Sequence, residues 1–138
     1  MEVPCSAHTY FNKRIDYQSP TILEASTNII ATDSGYITLG FTESSNIGIA
    51  MIALQRLNSE GVAESTKFLG DTAIGYYSAM GSLVMTCSGD YAFTGGTQEM
   101  GDTVDNRALL VKFNKNLDTL WTRSFGNTDN ILDTVSIG

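Results

Sequence analysis

Apolar and polar residues alternate along this chain in short segments, each of which ends at turn-forming residues. Alternation with a period of two is typical of strands, and the Gly, Asn, Asp and Ser residues between segments are typical of hairpin turns. The run from Ile49 to Leu54 hardly alternates, which predicts a strand covered on both faces. No segment has sustained helical periodicity, so we expect an all-β fold. The first four predicted strands are Leu23–Thr32, Gly35–Thr42, Gly48–Leu57 and Val62–Leu69.

The pattern of four strands occurs a second time. Tyr36 matches Tyr91 at an offset of 55 positions, and Leu54 matches Leu110 at an offset of 56, with the single gap in a loop. Insertions in loops are well tolerated, so the position of the gap supports a true repeat. The other identities are Gly40/Gly95, Thr42/Thr97, Asn58/Asn114, Thr66/Thr122 and Gly70/Gly126. The strands predicted for the second unit are Tyr77–Cys87, Asp90–Thr97, Asn106–Asn114 and Asp118–Phe125.

These units divide the chain into four segments. Residues 21–70 form repeat 1 and residues 71–126 form repeat 2. Residues 1–20 are an N-terminal segment that contains the last strand of a preceding unit, and residues 127–138 begin a third, truncated unit. Four short antiparallel strands in each repeat are the signature of propeller blades, and propellers have about four to eight blades. We therefore expect an incomplete propeller, a fragment or an open array.

Individual positions within the repeat also carry structural predictions. Gly61 closes the first hairpin in a left-handed conformation, and Asn116 is expected to take the corresponding role in the second hairpin. Gly40 and Gly95 each mark a bulge or a close approach of a neighbouring backbone. Because Tyr36 and Tyr91 are matched, we expect both rings to be buried.

Three segments resemble repeats of large secreted bacterial β-propeller proteins: Ser34-Gly35-Tyr36-Ile37…Gly40-Phe41-Thr42, Leu57-Asn58-Ser59-Glu60-Gly61 and Leu120-Trp121-Thr122-Arg123-Ser124-Phe125-Gly126. The resemblance covers nearly all of the chain after residue 20. It implies four-stranded blades of about 56 residues and an extracellular or cell-surface location. The chain departs from the family pattern at Ser65, which matches Trp121, and at Asn58 and Asn114, where the family often has aspartate. The chain itself shows no signal peptide, because Met1–Cys5 lacks a basic start and an apolar core.

Charge and hydropathy narrow the range of partners. The net charge is −7, from 8 basic and 15 acidic residues, and the basic residues are scattered. Nucleic-acid binding requires clustered Lys and Arg, so we do not expect it. The apolar runs are far shorter than the roughly 20 residues of a membrane-spanning helix.

No arrangement of residues predicts catalysis, so we expect a protein that is not an enzyme and needs no cofactor. His8 is the only histidine and lies outside the repeats, whereas a nucleophile needs a positioned base. Cys5 and Cys87 have neither disulfide-framework nor metal-site spacing, so we expect two unrelated thiols, with a single bridge between them as the alternative. Glu99, Asp102 and Asp105 are a weak candidate calcium site, with a plain solvated loop as the alternative.

Two aromatic residues, Trp121 and Tyr91, are weak candidates for ligand contact, with packing between neighbouring blades or in the core as the alternative. The function expected first is a scaffold or interaction module within a larger secreted protein. The alternative is a lectin-like propeller, assembled by oligomerisation, that binds carbohydrate between blades. A fragment of a propeller glycosidase is a third hypothesis. The expected partners are an unknown protein or glycan and the neighbouring blades of the same or another chain.

Overall fold

A computed structural model of the chain describes residue 17 and residues 21–44, 49–70, 73–99 and 106–126. Within these ranges the chain forms strands and connections, and no helix occurs, which confirms the predicted all-β class. The described strands are β1 (Thr21–Thr32), β2 (Gly35–Ser44), β3 (Ala50–Asn58), β4 (Ala63–Leu69), β5 (Ile74–Ser78), β6 (Val84–Met85), β7 (Tyr91–Glu99), β8 (Asn106–Phe113) and β9 (Thr119–Phe125).

The strands form two antiparallel sheets in which chain neighbours are paired. Sheet 1 has the order β1-β2-β3-β4, and sheet 2 has the order β5-β7-β8-β9, with β6 also paired to β7. The prediction that β3 is covered on both faces is confirmed, because its consecutive residues from Ile52 to Gln55 are all buried.

The prediction of one strand from Tyr77 to Cys87 is wrong, because the chain leaves the sheet between β5 and β6. A bulge lies at the same place in β1, where the register shifts between Ser26 and Asn28. In sheet 2 the loop 79–83 occupies the position of this bulge. The loop is closed by Ser82, whose single hydroxyl proton is shared between the carbonyls of Ala79, 2.8 Å from Oγ, and Thr94, 2.9 Å from Oγ.

The strand registers of the two sheets match. Tyr36 lies opposite Leu57 in sheet 1, and Tyr91 lies opposite Phe113 in sheet 2. The third and fourth strands of each sheet also have a register shift at equivalent positions, next to Arg56 and next to Lys112. The repeat seen in the sequence therefore has a counterpart in the hydrogen-bonded framework.

Each sheet has two faces, which we call front and back. The front of sheet 1 carries Ile37, Leu39, Ile52 and Leu54, and its back carries Thr38, Gly40, Ala53 and Gln55. In sheet 2 the equivalent front residues are Ala92, Thr94, Ala108 and Leu110, and the back residues are Phe93, Gly95, Leu109 and Val111. The side chains of a strand alternate between the two faces, so the paired registers fix this assignment.

The front of sheet 1 packs against the back of sheet 2. One core cluster contains Leu39 and Leu54 from the first surface and Phe93 and Val111 from the second. Phe93 also contacts Phe113 on the back of sheet 2, with ring centroids 6.0 Å apart. The two equivalent sheets are therefore stacked front to back. Sheet 2 covers the front of sheet 1, but among the described residues no third sheet covers the front of sheet 2.

A seam of hydrogen bonds joins the two sheets beside the core. Asn28 follows the β1 bulge, and its Nδ2 donates to the carbonyl of Ala79 at 2.9 Å. Its Oδ1 accepts from the amide of Leu83 at 3.3 Å, and the hydroxyls of Thr27 and Ser78 are 2.8 Å apart. The bulge of one sheet thus satisfies backbone groups in the widened loop of the other.

The predicted close approaches at two glycines are confirmed. A Cβ on Gly40 would overlap the carbonyl oxygen of Ala25, and a Cβ on Gly95 would overlap that of Tyr77. Both clashes involve backbone, which cannot rotate away as a side chain can. The repeated glycine is therefore required by the spacing of the first two strands in each sheet.

The prediction for the second hairpin is wrong, because Leu117 and not Asn116 takes the left-handed conformation. Gly61 has φ 73° and Leu117 has φ 67° at the equivalent hairpin position. The geometry of the loop fixes this position, and here leucine tolerates it because its side chain is 1 % exposed and belongs to the core cluster.

Candidate functional site

A groove of ≈ 330 Å³ opens between the two sheets at the end where their turns lie. The β1–β2 turn contributes Asp33 and Ser34, and β3 contributes Arg56. Across the groove, sheet 2 contributes Tyr91 from β7 and Lys115 from the β8–β9 hairpin. The front-to-back stacking forms this groove, since each wall belongs to a different sheet.

Arg56 is held in place by partners on both sheets. Its Nε donates to Glu64 Oε2 at 3.1 Å, and its Nη1 donates to the carbonyl of Lys115 at 3.3 Å. A guanidinium held in this way keeps its charge and further N–H groups at the groove with little freedom to lose on binding.

The repeat shows that the equivalent cations of the two sheets have acidic partners at different positions. In sheet 2, Lys112 occupies the position equivalent to Arg56, and its Nζ lies 2.9 Å from Asp90 Oδ2. The residue of sheet 1 that is equivalent to Asp90 is Gly35. Arg56 therefore has no carboxylate at that position and pairs with Glu64 on β4, whereas Lys112 pairs with Asp90 beside its turn.

Hydrogen bonds also stabilise the ionised form of Asp90. The bond from Lys112, followed by the 2.7 Å bond from Ser88 Oγ, holds the pKa of the Asp90 carboxyl below its usual value of 3.8. Lys112 and Asp90 are thus a satisfied pair on the surface, whose charges are not free for a ligand.

A second candidate surface is the front of sheet 2. Trp121 is 36 % exposed and Phe125 is 47 % exposed on this face, and Arg123 lies over the indole ring with its Cζ 5.6 Å from the centroid. Leu69, the residue of sheet 1 equivalent to Phe125, is only 5 % exposed because sheet 2 covers it. The packing of Trp121 against a neighbouring unit, expected from the sequence, therefore has no counterpart among the described residues.

The two aromatic candidates from the sequence do not form one site. Trp121 pairs with Lys112 on the front of sheet 2, whereas Tyr91 lies on the back. Tyr91 is 5 % exposed and stacks on Phe113, with centroids 5.4 Å apart, so only its edge reaches the groove. The expectation of equal burial for the matched tyrosines is wrong, because Tyr36 is only half-buried.

The remaining sequence candidates lie mostly outside the described residues. Asp102, Asp105, His8 and Cys5 belong to that group, and for Glu99 only the backbone is described, as the end of β7. The calcium prediction therefore stays a prediction. Cys87 is exposed, with a free thiol.

Sequence reasoning did not single out Asp33, Arg56 or Lys115 as site residues. They come from a turn, a strand and a hairpin that are far apart along the chain, and only the stacking of the sheets brings them to one groove. The difference between Gly35 and Asp90 in the aligned repeats was the available signal, because it shows that the equivalent cations, Arg56 and Lys112, cannot have equivalent acidic partners.

Within the described ranges, the chain contains no helix with the length and hydropathy that crossing a membrane requires. Comparison of the whole chain with known protein families, with curated proteins and with solved structures found no match.

Proposed function

We propose that this chain is a non-catalytic repeat module of the β-propeller type, which acts as a scaffold by binding further units of the same kind. The observation that carries the proposal is the front-to-back packing of sheet 1 on sheet 2, together with the exposed front of sheet 2. Each sheet is then one blade, in which β5 and β6 of sheet 2 together take the place of β1 of sheet 1. A secreted or cell-surface location rests on the resemblance to secreted bacterial propeller repeats.

Exposed apolar groups support the front of sheet 2 as the binding surface. Val84 is 53 % exposed there, while the equivalent Ile30 of sheet 1 packs against the core. Fully burying one such side chain contributes roughly 1.5–3 kcal/mol. Covering Val84, Trp121 and Phe125 would therefore supply substantial stabilisation to an incoming sheet.

The cations on the two fronts indicate what the incoming unit should carry. Lys67 on the front of sheet 1 lies 3.4 Å from Asp118, in the hairpin of sheet 2. The equivalent cation on the front of sheet 2 is Arg123. By the same geometry, the incoming unit should carry an acidic residue at the position of Asp118.

Sheet 1 does not present such a surface. Its residue equivalent to Asp118 is Val62, and its back carries Thr38 and Gln55 in place of the large apolar Phe93 and Val111. Both Thr38 and Gln55 are already buried, at 6 % and 2 % exposure. The preferred partner is thus a unit like repeat 2, and the stacking has a direction.

A chain that carries a second copy of residues 71–126, joined directly after Gly126, tests this proposal. The appended copy has Trp121→Phe at its own equivalent position, so that the original Trp121, the sole tryptophan of the chain, is the only reporter. We expect slower acrylamide quenching and a blue-shifted emission of Trp121 in the extended chain. As a control, the appended copy also carries Val111→Asp on its back, which should restore the quenching of the shorter chain.

Unchanged quenching in the extended chain, with the appended unit folded by circular dichroism, would contradict the proposal. The free energy of unfolding of the extended chain shows separately whether the appended unit is destabilised. Stacking of the repeats should raise this free energy through the new interface.

Carbohydrate binding is the second candidate function, and the groove between the sheets favours it. The groove is lined by Tyr91, Ser34 and Asp33 together with the cations Arg56 and Lys115. Pockets for small molecules are concave, with a few polar groups placed by the fold, and lie preferentially at such junctions. Screening the chain against an array of neutral and acidic glycans tests this function, and binding to none of them would contradict it.

A further inference from the structure

We propose that the groove between the two sheets binds a carboxylate-bearing sugar, such as a hexuronate unit. This inference rests on the carbohydrate-binding function and not on the stacking of further sheets. It starts from Lys115 and Asp33, two charged residues that line the groove.

The groove contains charges without ion-pair partners. Among the described residues, no carboxylate pairs with Lys115 and no cation pairs with Asp33, whereas Lys67 and Lys112 each have an acidic partner. The protein has a net charge of −7, so an unneutralised cation beside Arg56 is contrary to the general surface charge. Lys115 can therefore attract an anion, and the N–H groups of Arg56 that its bonds to Glu64 and Lys115 leave unused can bind a carboxylate.

Asp33 limits which anion fits. A phosphate dianion would be repelled by this carboxylate more strongly than a monoanion would be. A neighbouring hydroxyl group would instead donate a hydrogen bond to Asp33, and a hydrogen bond to an ionised acceptor is stronger than a neutral one. The expected ligand therefore combines one carboxylate with hydroxyl groups on its body.

The rest of the groove suits the ring of a sugar. Ile37 and Met85 provide apolar surface for its C–H groups, while Ser34 and the edge of Tyr91 provide hydroxyls. Gly89 has φ 80° with nothing within 4 Å of its Cβ position, so that part of the wall is open. A volume of ≈ 330 Å³ lies at the lower end of the range of about 300–1,000 Å³ for small-molecule pockets, which suits a single ring.

The test is a titration of the 15N-labelled full chain with glucuronate, followed by the backbone amide shifts. We expect saturable shifts at Asp33, Ser34, Gly89 and Lys115. Glucuronate should bind about tenfold more tightly than glucose, because a charge-assisted hydrogen bond is lost with the carboxylate. The variant Lys115→Met should reduce glucuronate affinity several-fold, while Arg123→Met, which removes an exposed cation from the front of sheet 2 and outside the groove, should leave it unchanged.

Each other outcome would overturn the inference in a distinct way. Equal affinity for glucose and glucuronate, without an effect of Lys115→Met, would remove the acidic requirement and leave the carbohydrate function standing. Equal affinity for inorganic phosphate or acetate would reduce the groove to a simple anion site. An absence of shifts with any of these ligands, together with a negative glycan array, would overturn both the inference and the function on which it rests.

Discussion

Leu117 occupies in the second hairpin the left-handed position that Gly61 occupies in the first. The two residues have φ values of 67° and 73°, and their amides donate to the carbonyls of Asn114 and Asn58, each at 3.0 Å. A leucine in this conformation is strained, but its side chain lies in the core formed between the two sheets. The second hairpin is therefore strained at the backbone of Leu117, and the burial of the leucine side chain between the units offsets this strain.

Replacement of Leu117 separates the effect of its backbone strain from the effect of its buried side chain. Leu117→Ala should destabilise the protein by about 2–5 kcal/mol, because it removes a buried side chain and keeps the strained φ. Leu117→Gly removes slightly more side chain but relieves a strain of roughly 1 kcal/mol. We therefore expect the glycine variant to be the more stable of the two in urea unfolding, and a more stable alanine variant would contradict the assigned backbone conformation.

The two hairpin asparagines should respond differently to aspartate. Asn58 Oδ1 accepts from the amides of Glu60 and Val62, both at 2.9 Å, so Asn58→Asp keeps these bonds and should change stability by less than about 0.5 kcal/mol. Asn114 also donates from Nδ2 to Asp118 Oδ2 at 3.3 Å. Asn114→Asp replaces that bond with two facing carboxylates and should cost about 1 kcal/mol.

Thermal unfolding of both aspartate variants at neutral and acidic pH checks this difference. Protonation of the carboxylates should narrow the gap between Asn114→Asp and Asn58→Asp at low pH. Equal stability of the two variants at neutral pH would show that the Asn114–Asp118 bond contributes nothing.

Adjacent glycines in β7 provide a matched pair. A Cβ at Gly95 would overlap the carbonyl of Tyr77, whereas a Cβ at Gly96 would lie 3.4 Å from the carbonyl of Arg107. Gly95→Ala should cost about 1–3 kcal/mol through forced backbone movement, and Gly96→Ala should be within about 0.5 kcal/mol of the parent protein. Chemical unfolding of both variants measures this difference in the free energy of unfolding. Equal costs for the two variants would contradict the close approach of β5 and β7.

The lowered pKa of Asp90 leads to a prediction about pH. A carboxyl with a depressed folded-state pKa contributes stability that is present above its unfolded value and is lost as the pH falls through the folded value. NMR titration should place the Asp90 pKa below 3.8, and Lys112→Met should raise it because the principal partner is gone. A pKa that does not move in this variant would contradict the assigned hydrogen bond.

The sequence predicted well the structural features that the two units share and predicted poorly those that differ between the units. The strand pattern, the close approaches at Gly40 and Gly95, and the burial of β3 follow from local patterning and from the alignment of the units. The break between β5 and β6 was missed because Leu83, Val84 and Met85 continue an apolar run that favours a strand. That break is accompanied by one hydrogen bond that Asn28 of the other sheet donates to Ala79 and one that it accepts from Leu83.

The candidate site was predicted less well for the same reason. Tyr91 was a weak candidate as an aromatic residue, and its match to Tyr36 favoured a place in the core, whereas its position at a groove depends on the stacking of the two sheets. Lys115 has no matching cation in repeat 1, where the equivalent residue is Ser59. Only the tertiary arrangement shows that Lys115 shares a groove with Asp33.

The central claim is that the front of sheet 1 packs on the back of sheet 2 and leaves the front of sheet 2 open. Nuclear Overhauser effects between side chains of the labelled chain test it most directly. We expect contacts from the methyl groups of Leu39 and Leu54 to the ring of Phe93 and the methyl groups of Val111. Contacts from Leu110, on the opposite face of sheet 2, to the core residues of sheet 1, in place of these, would contradict the claim.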